Sequence, residues 1–343
     1  MIQKVSAVVL CLPLWAVFPG ITGAQDGTPV PDQLRWRPTG DPDRILLSWT
    51  GDPATTASVS WRTDATVAVS IGEIALADDG PKFAAKAVSV TGKPVLFTSD
   101  LGNSHRHSLT FTDLSPATQY VWRVGDGTNW SEWSQFRTAA AQPEAFSFIY
   151  FGDAQNTLKS HWSRVVRQAW AEAPRSAFLL HAGDLINRAN ADAEWGEWFY
   201  AGGFIHHTTP CLATPGNHEY AKAGLLSSGK LSDHWRPTFA FPENGPPGLE
   251  ETCWWLDYQG VRLVSLNSNE NLQLQADWLK EVLRENPQTW TIITYHHPLY
   301  SAKAGRDNSE LRRIWQPVFD EFRADLVLQG HDHTYARTGL MNH

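Results

Sequence analysis

The sequence predicts an all-β sandwich followed by an α/β domain, and three observations predict it. The chain has 343 residues, 42% hydrophobic and 19% charged, which suits two packed globular domains and excludes a disordered or fibrous chain. Its hydrophobic period changes from strand-like to alternating strand and helix across a short linker, Ala139-Ala140-Ala141-Gln142-Pro143. Eleven of the 13 histidines lie beyond that linker, so the chemistry is expected there. The formal charge of −8 leaves no basic field for a polyanion, and no nucleic-acid partner is expected.

Taken in order, Lys4, the apolar run from Val5 to Phe18 and the small residues to Ala24 have the pattern of a secretory signal. Residues 1–24 are therefore read as a signal peptide, with a secreted or periplasmic mature chain starting near Gln25 and no membrane association after cleavage. That run is too short for a stable transmembrane helix. Cleavage leaves two cysteines, Cys211 and Cys253, for which an oxidising compartment permits a disulfide. Residues 30–140 form the first domain. Ile45-Leu46-Leu47-Ser48-Trp49, Ala57 to Trp61, His107 to Phe111 and Tyr120 to Val124 are short β-branched or aromatic runs between Gly, Asp and Pro turns. An antiparallel sandwich follows. Residues 145–343 form the second domain. Phe146–Phe151, Ala177–His181, Val261–Leu266, Trp290–Tyr295 and Asp325–Leu328 read as strands. Helical stripes at Trp162/Val166/Trp170, Leu274/Trp278/Val282 and Leu311/Trp315/Val318 separate them. Tyr220 to Thr252 is rich in Gly, Pro and Ser without a strong period and reads as a long loop, functional or disordered rather than idle.

In α/β sheets the loops leaving the carboxyl ends of the strands share one rim, where ligands bind. Five such ends here deliver Gly152-Asp153, Gly183-Asp184, Gly216-Asn217-His218-Glu219, His296-His297-Pro298 and Gly330-His331-Asp332-His333. A single Gly-Asp turn usually does no more than cap the next helix. Five in order, each carrying a carboxylate, amide oxygen or imidazole, argue for a metal site. Oxygen and nitrogen donors without thiolate suit Zn, Mn or Fe. The six candidates Asp153, Asp184, Asn217, His296, His331 and His333 exceed the needs of one open four-coordinate ion and suit two ions sharing a carboxylate.

This ordered set resembles the signature of the calcineurin-like metallophosphoesterases, and with the preceding sandwich the chain resembles the purple acid phosphatase branch, including its His-x-Tyr ending at His333-Thr334-Tyr335. Leu114 to Thr138 resembles the late strands of a fibronectin type III module. The resemblance runs from about residue 30 to the C-terminus and implies a four-layer α+β catalytic domain, a β-sandwich core flanked by helices. It further implies that Asp184 bridges two divalent or mixed-valence ions, that Asp153 and His333 complete the first site, and that Asn217, His296 and His331 complete the second. Two positions depart from the pattern: Asn187 stands where the coloured branch has tyrosine, and Gln155 where the wider family often has histidine. Both are candidate weak ligands, and the missing phenolate implies no charge-transfer colour. His343 ends the chain ten residues after His333, where similar proteins continue with further strands, so C-terminal truncation is an expectation.

The expected activity is hydrolysis of small-molecule phosphomonoesters by in-line attack of a metal-bound hydroxide. The resemblance gives His218 the protonation of the leaving alkoxide. His297 is a candidate substrate contact, and Glu219 is expected to orient the loop around His218. His181 reads as a buried, hydrogen-bonded imidazole, and His206 and His207 as solvent-facing. The alternatives are a phosphodiesterase of the same fold and a non-catalytic binding module that has lost the first site. Oligomeric state is not legible.

Overall fold

The computed structural model describes residues 29–222 and 229–340. The signal-peptide expectation lies outside the described residues. After a short helix α1 (Asp32–Arg35), eight strands follow: β1 (Asp43–Ser48), β2 (Ala57–Asp64), β3 (Ser70–Leu76), β4 (Val88–Gly92), β5 (Val95–Ser99), β6 (Gly102–Phe111), β7 (Gln119–Gly125) and β8 (Ser134–Arg137). They form two antiparallel sheets, ordered β1-β2-β6-β5 and β4-β3-β7-β8. Alternation places Val59 and Trp61 of β2 in the core between the sheets with Phe111 and Trp122. Ser58, Ser60 and Arg62 point the other way yet are also buried, because the second domain covers that face. Strands β3, β4 and β5 were not among the four expected. Their sequences, such as Ser70-Ile71-Gly72-Glu73, carry fewer large apolar residues, and β4 and β5 are partly exposed edges.

The second domain stacks two sheets. Parallel strands β9 (Ile149–Phe151), β10 (Leu179–His181) and β11 (Cys211–Ala213) form one, in the order β11-β10-β9. After the hairpin of β12 (Tyr220–Ala221) and β13 (Lys230–Leu231), strands β14 (Trp254–Tyr258), β15 (Val261–Ser265), β16 (Trp290–Thr294) and β17 (Leu326–Leu328) form the other. Within it, β14 pairs antiparallel and the rest parallel. Helices α2 (Ser163–Glu172) and α3 (Asp192–Gly202) pack beside the first sheet, and α6 (Leu272–Arg284) and α7 (Ser309–Glu321) cover the second. Leu263 and Ile292 face the inter-sheet core, whereas their neighbours Val264 and Ile293 face α6 and α7. The expected four layers are therefore present, with strands shorter than their apolar runs.

Two expectations are corrected and one open alternative is decided. Beyond the short helix α4 (Ile205–Thr208), which precedes β11, the described part of the stretch after Tyr220, from residue 229 on, is not an open loop: it carries the short helix α5 (Trp235–Thr238), and Trp235, Phe239 and Phe241 join the core. It wedges against the sandwich, where Ser48 and Ser60 donate to the carbonyls of Ala240 and Thr238. Cys211 and Cys253 are both free and buried, so the permitted disulfide does not form. His206 is buried against Trp198, ring centroids 4.4 Å apart, and half-buried His207 pairs with Glu132 at 3.2 Å rather than facing solvent freely. No helix among the described residues is long and apolar enough to cross a membrane.

Candidate metal centre

The carboxyl ends of β9, β10, β11, β16 and β17 meet at one rim. Close approach of their loops depends on glycine: at Gly183, φ is +89°, and a Cβ there would lie 2.4 Å from the Gly216 nitrogen. A Cβ on Gly216 would in turn meet Asp184 Oδ1 at 2.2 Å. Four candidate ligands adopt left-handed backbone, namely Asp153 (+46°), Asp184 (+53°), His331 (+75°) and His333 (+50°). Such φ values are uncommon outside glycine and turn each side chain sharply off its strand.

The centre of the site is His296, fully buried. Its Nδ1 lies 2.8 Å from the Ala182 carbonyl, which can only accept, so Nδ1 carries a proton. In the neutral ring Nε2 then presents a lone pair, and around it stand Asp184 Oδ2 at 3.1 Å, Asn217 Oδ1 at 3.2 Å and His331 Nδ1 at 3.0 Å. Four potential ligand atoms crowd one point, more than a single imidazole proton shared with Asp184 can satisfy, which is the demand a cation meets. Asp153 adds a second instance. Its Oδ2 accepts the His331 N–H at 2.7 Å, while its buried Oδ1 has no hydrogen bond and faces His333 Nε2 at 3.5 Å. Ligand atoms of Asp153, Asp184 and His296 lie within 4.8 Å of one another, as do those of His296, His297 and His331. The residues present thus fit metal ions. Burial raises the Asp153 carboxyl. Burial would also raise Asp184, but its hydrogen bond to His296 and the nearby imidazoles hold it below its ordinary value.

Glu219, fully buried, is the strut beneath the site. Its Oε2 accepts the N–H groups of Asp184 (2.8 Å) and Gly216 (2.6 Å), and its Oε1 that of Leu185 (2.7 Å). Burial and the Asp184 charge push its carboxyl up to about 7. The loop-orienting part expected of it is therefore visible. His218 is half-buried at the mouth, donating from Nδ1 to the Asn187 carbonyl at 2.7 Å and accepting at Nε2 from the Gln155 amide at 3.1 Å. Its backbone N–H bonds Asp184 Oδ1 at 2.8 Å. Gln155 thus reaches the site through His218, with its buried Oε1 unpartnered, whereas Asn187 contributes its carbonyl and leaves its side chain exposed. His297 bonds Ser268 Oγ at 2.8 Å, and its ring lies 4.4 Å from that of His331. His181 is buried among Phe151, Trp162 and Trp198, but its Nε2 has no hydrogen-bond partner, contrary to the expectation of a satisfied imidazole.

Sequence reasoning missed one strand end. After β15 comes Asn267-Ser268-Asn269, and Asn269 Nδ2 holds the Pro215 and Gly216 carbonyls at 3.2 and 3.3 Å. The signal was the same as at the other ends, polar residues after an apolar strand. A cavity of about 450 Å³ opens here, lined by Asn217, Asn269, His297 and Lys222, with Asp307 and Glu310 opposite.

The profile of the purple acid phosphatase N-terminal domain matches residues 42–138, and that of the calcineurin-like phosphoesterases matches residues 93–335. Two Mycobacterium tuberculosis proteins of uncharacterized function are 25% identical over 334 residues, covering 86% of this chain and 61% of their own length, so the chain spans about three-fifths of these relatives. Human acid phosphatase type 7 is 26% identical over 330 residues, 88% of this chain and 71% of that protein. Purple acid phosphatase PPD1 from yellow lupin seeds superposes with a TM-score of 0.71 at 18% identity, over 85% of this chain and 58% of that one, a likeness of fold.

Proposed function

Starting from membership of the calcineurin-like phosphoesterase family, to which this chain belongs with a purple acid phosphatase N-terminal domain in front, we propose that it is a secreted phosphatase hydrolysing small phosphomonoesters at a two-metal centre. The observation that carries the reading is the convergence of Asp184, Asn217 and His331 on His296 Nε2 with the unpaired Asp153 Oδ1 nearby. Asp184 lies between the two groups and would be shared. Asp153 and His333 would hold one ion, Asn217, His296 and His331 the other. When bound, such ions supply a water acidified to a pKa near 7 and neutralise charge on the phosphoryl oxygens.

The chain's own groups do the rest. Glu219 fixes the Gly183-Asp184 and Gly216-Asn217 turns in mutual register. His218 has its Nδ1–H tied to the Asn187 carbonyl, so Nε2, which accepts from the Gln155 amide in the neutral ring, would first take a proton from solvent and, as the imidazolium, pass it to the leaving alkoxide, with Gln155 setting the ring plane. Such general-acid help contributes about 100- to 10,000-fold. His297, steadied by Ser268, would contact a phosphoryl oxygen of the substrate. Gln155 and Asn187 stay candidates for weak ligation to the first ion. A phosphodiesterase reading is favoured by one feature, the polar cavity beside His297, which has room for a second ester substituent.

Purified mature chain is to be assayed for metal content and for turnover of p-nitrophenyl phosphate and bis(p-nitrophenyl) phosphate. Two ions per chain and faster monoester turnover are expected, with Asp184→Asn lowering metal content and turnover, the latter by about 100- to 1000-fold. Faster diester turnover selects the second reading. No bound metal together with no turnover of either ester, across added Zn, Mn and Fe, overturns both and favours a binding module.

A further inference from the structure

The domain interface buries three arginines around too few carboxylates. Arg44 takes both oxygens of Asp192 at 2.7 Å. Arg62 takes both oxygens of Asp43 at 2.8 and 2.6 Å. Arg106, whose side chain is only 4% exposed, is left with a 3.4 Å bond to Asp192 Oδ1, an oxygen already shared with Arg44 and His234. Its Nε is buried without a partner, and no other hydrogen bond or carboxylate serves it among the described residues. A buried cation without an anion of its own is costly, and removing it is ordinarily stabilising or neutral. Burial and the charges of Arg44 and Arg62 push its guanidinium down to about 9, the same imbalance in another guise.

Arg106 also lines a cleft of about 510 Å³ between the outer face of the β1-β2-β6-β5 sheet and the Pro237–Phe241 segment. Strand alternation places Ser108 and Thr110 beside Arg106 on that face. Ser108 is exposed, and its hydroxyl makes no hydrogen bond among the described residues. Val95, Pro237 and Phe239 supply an apolar wall. The other cation lining the cleft, Arg236, is spent on Glu243 at 2.8 Å and Glu251 at 2.5 Å, so Arg106, held only by the 3.4 Å contact to Asp192 and by the Phe97 ring, is the more weakly paired of the two.

We propose that this cleft is a second binding site, separate from the metal centre, for a small molecule carrying a single anionic group on an apolar body, with the anion seated on Arg106 and Ser108. A polyphosphate is disfavoured, because the mouth adds two carboxylates against one arginine. The anionic group is a carboxylate or a phosphoryl group, and the probes distinguish them.

Benzoate and phenylphosphonate are to be titrated calorimetrically, each into wild type, Asp184→Asn, Arg106→Met and Ser108→Trp, all as purified with added divalent metal. The expected result is millimolar binding that survives Asp184→Asn, weakens at least about 30-fold in Arg106→Met and disappears in Ser108→Trp. Benzoate alone identifies a carboxylate ligand, phenylphosphonate alone a phosphoryl ligand, and both a site for either. Arg106→Met should fold, since Asp192 retains Arg44, Arg62 and His234. If it does not, Ser108→Trp, which leaves the ion cluster intact, decides. Binding undiminished in Ser108→Trp or in folded Arg106→Met, or no binding of either probe to Asp184→Asn up to about 20 mM, overturns the proposal.

Discussion

Replacing His181 by phenylalanine tests the buried imidazoles, and its effect can be worked out in advance. His181 is 1% exposed, ringed by Phe151, Trp162 and Trp198 with centroids at 5.2, 6.2 and 5.6 Å, and its Nε2 has no partner. Burial lowers it from 6.5 to about 3. A base whose folded pKa is depressed contributes full stability above its unfolded value and loses it as pH falls through the window from 6.5 towards 3. The loss from this one residue is about 2 kcal/mol at pH 5 and about 3 kcal/mol at pH 4. Phenylalanine cannot take up a proton and suits the aromatic cage. Equilibrium urea unfolding of both proteins at pH 8, 6 and 5 reads the difference, and metal-linked pH effects common to both cancel. His181→Phe should gain about 2 kcal/mol on wild type between pH 8 and pH 5, whatever its absolute stability at pH 8. Parallel profiles, within about 0.5 kcal/mol, would refute the claim that His181 is held neutral by burial.

Glu219→Gln places an amide NH₂ against backbone N–H donors that Glu219 now accepts, so stability should fall by about 2 kcal/mol and metal affinity by about 10- to 100-fold, read by urea unfolding and metal titration. Gly216→Ala drives a Cβ to 2.2 Å from Asp184 Oδ1 and 2.5 Å from its nitrogen, and metal content should drop by more than about 10-fold while far-UV circular dichroism stays native. Arg44→Met strips Asp192 of its two shortest bonds and should cost about 3 kcal/mol in thermal or urea unfolding, in contrast to a neutral or stabilising Arg106→Met.

The layered architecture was legible because its strands and helices announce themselves by period. Val264 and Leu263 alternate between two cores, and Leu311, Trp315 and Val318 share one helix face. Three sandwich strands were illegible for want of large apolar side chains: β4 and β5 are partly exposed edges, and interior β3 opens with the small and polar residues Ser70, Gly72 and Glu73, which leaves periodicity little to detect. The wedge after Tyr220 escaped for a different reason. Trp235, Phe239 and Phe241 are anchored by contacts far away in sequence rather than by a local period. The interface arginines follow the same logic: Arg62 and Arg106 look like solvent-facing positions of alternating strands, and only the docking of the second domain buries them.

The candidate site, by contrast, was legible almost residue by residue, and the backbone says why. Its side chains must leave parallel strands and turn at once towards a common point, which requires left-handed φ at Asp153, Asp184, His331 and His333. Aspartate tolerates that conformation better than most residues, and histidine is likewise enriched there. Glycines at three of the loops keep them from colliding: a Cβ at Gly183 would lie 2.4 Å from the Gly216 nitrogen, one at Gly216 would meet Asp184 Oδ1 at 2.2 Å, and one at Gly330 would meet Asp153 Oδ2 at 2.7 Å. The Gly-Asp and Gly-His-x-His motifs therefore write two requirements into one short string, a turn that few residues can make and a ligand that few residues can supply. Asn269, Gln155 and the Asn187 carbonyl carry no such double requirement. They act through hydrogen bonds on residues remote in sequence, which is why their contacts emerge only when the chain is folded.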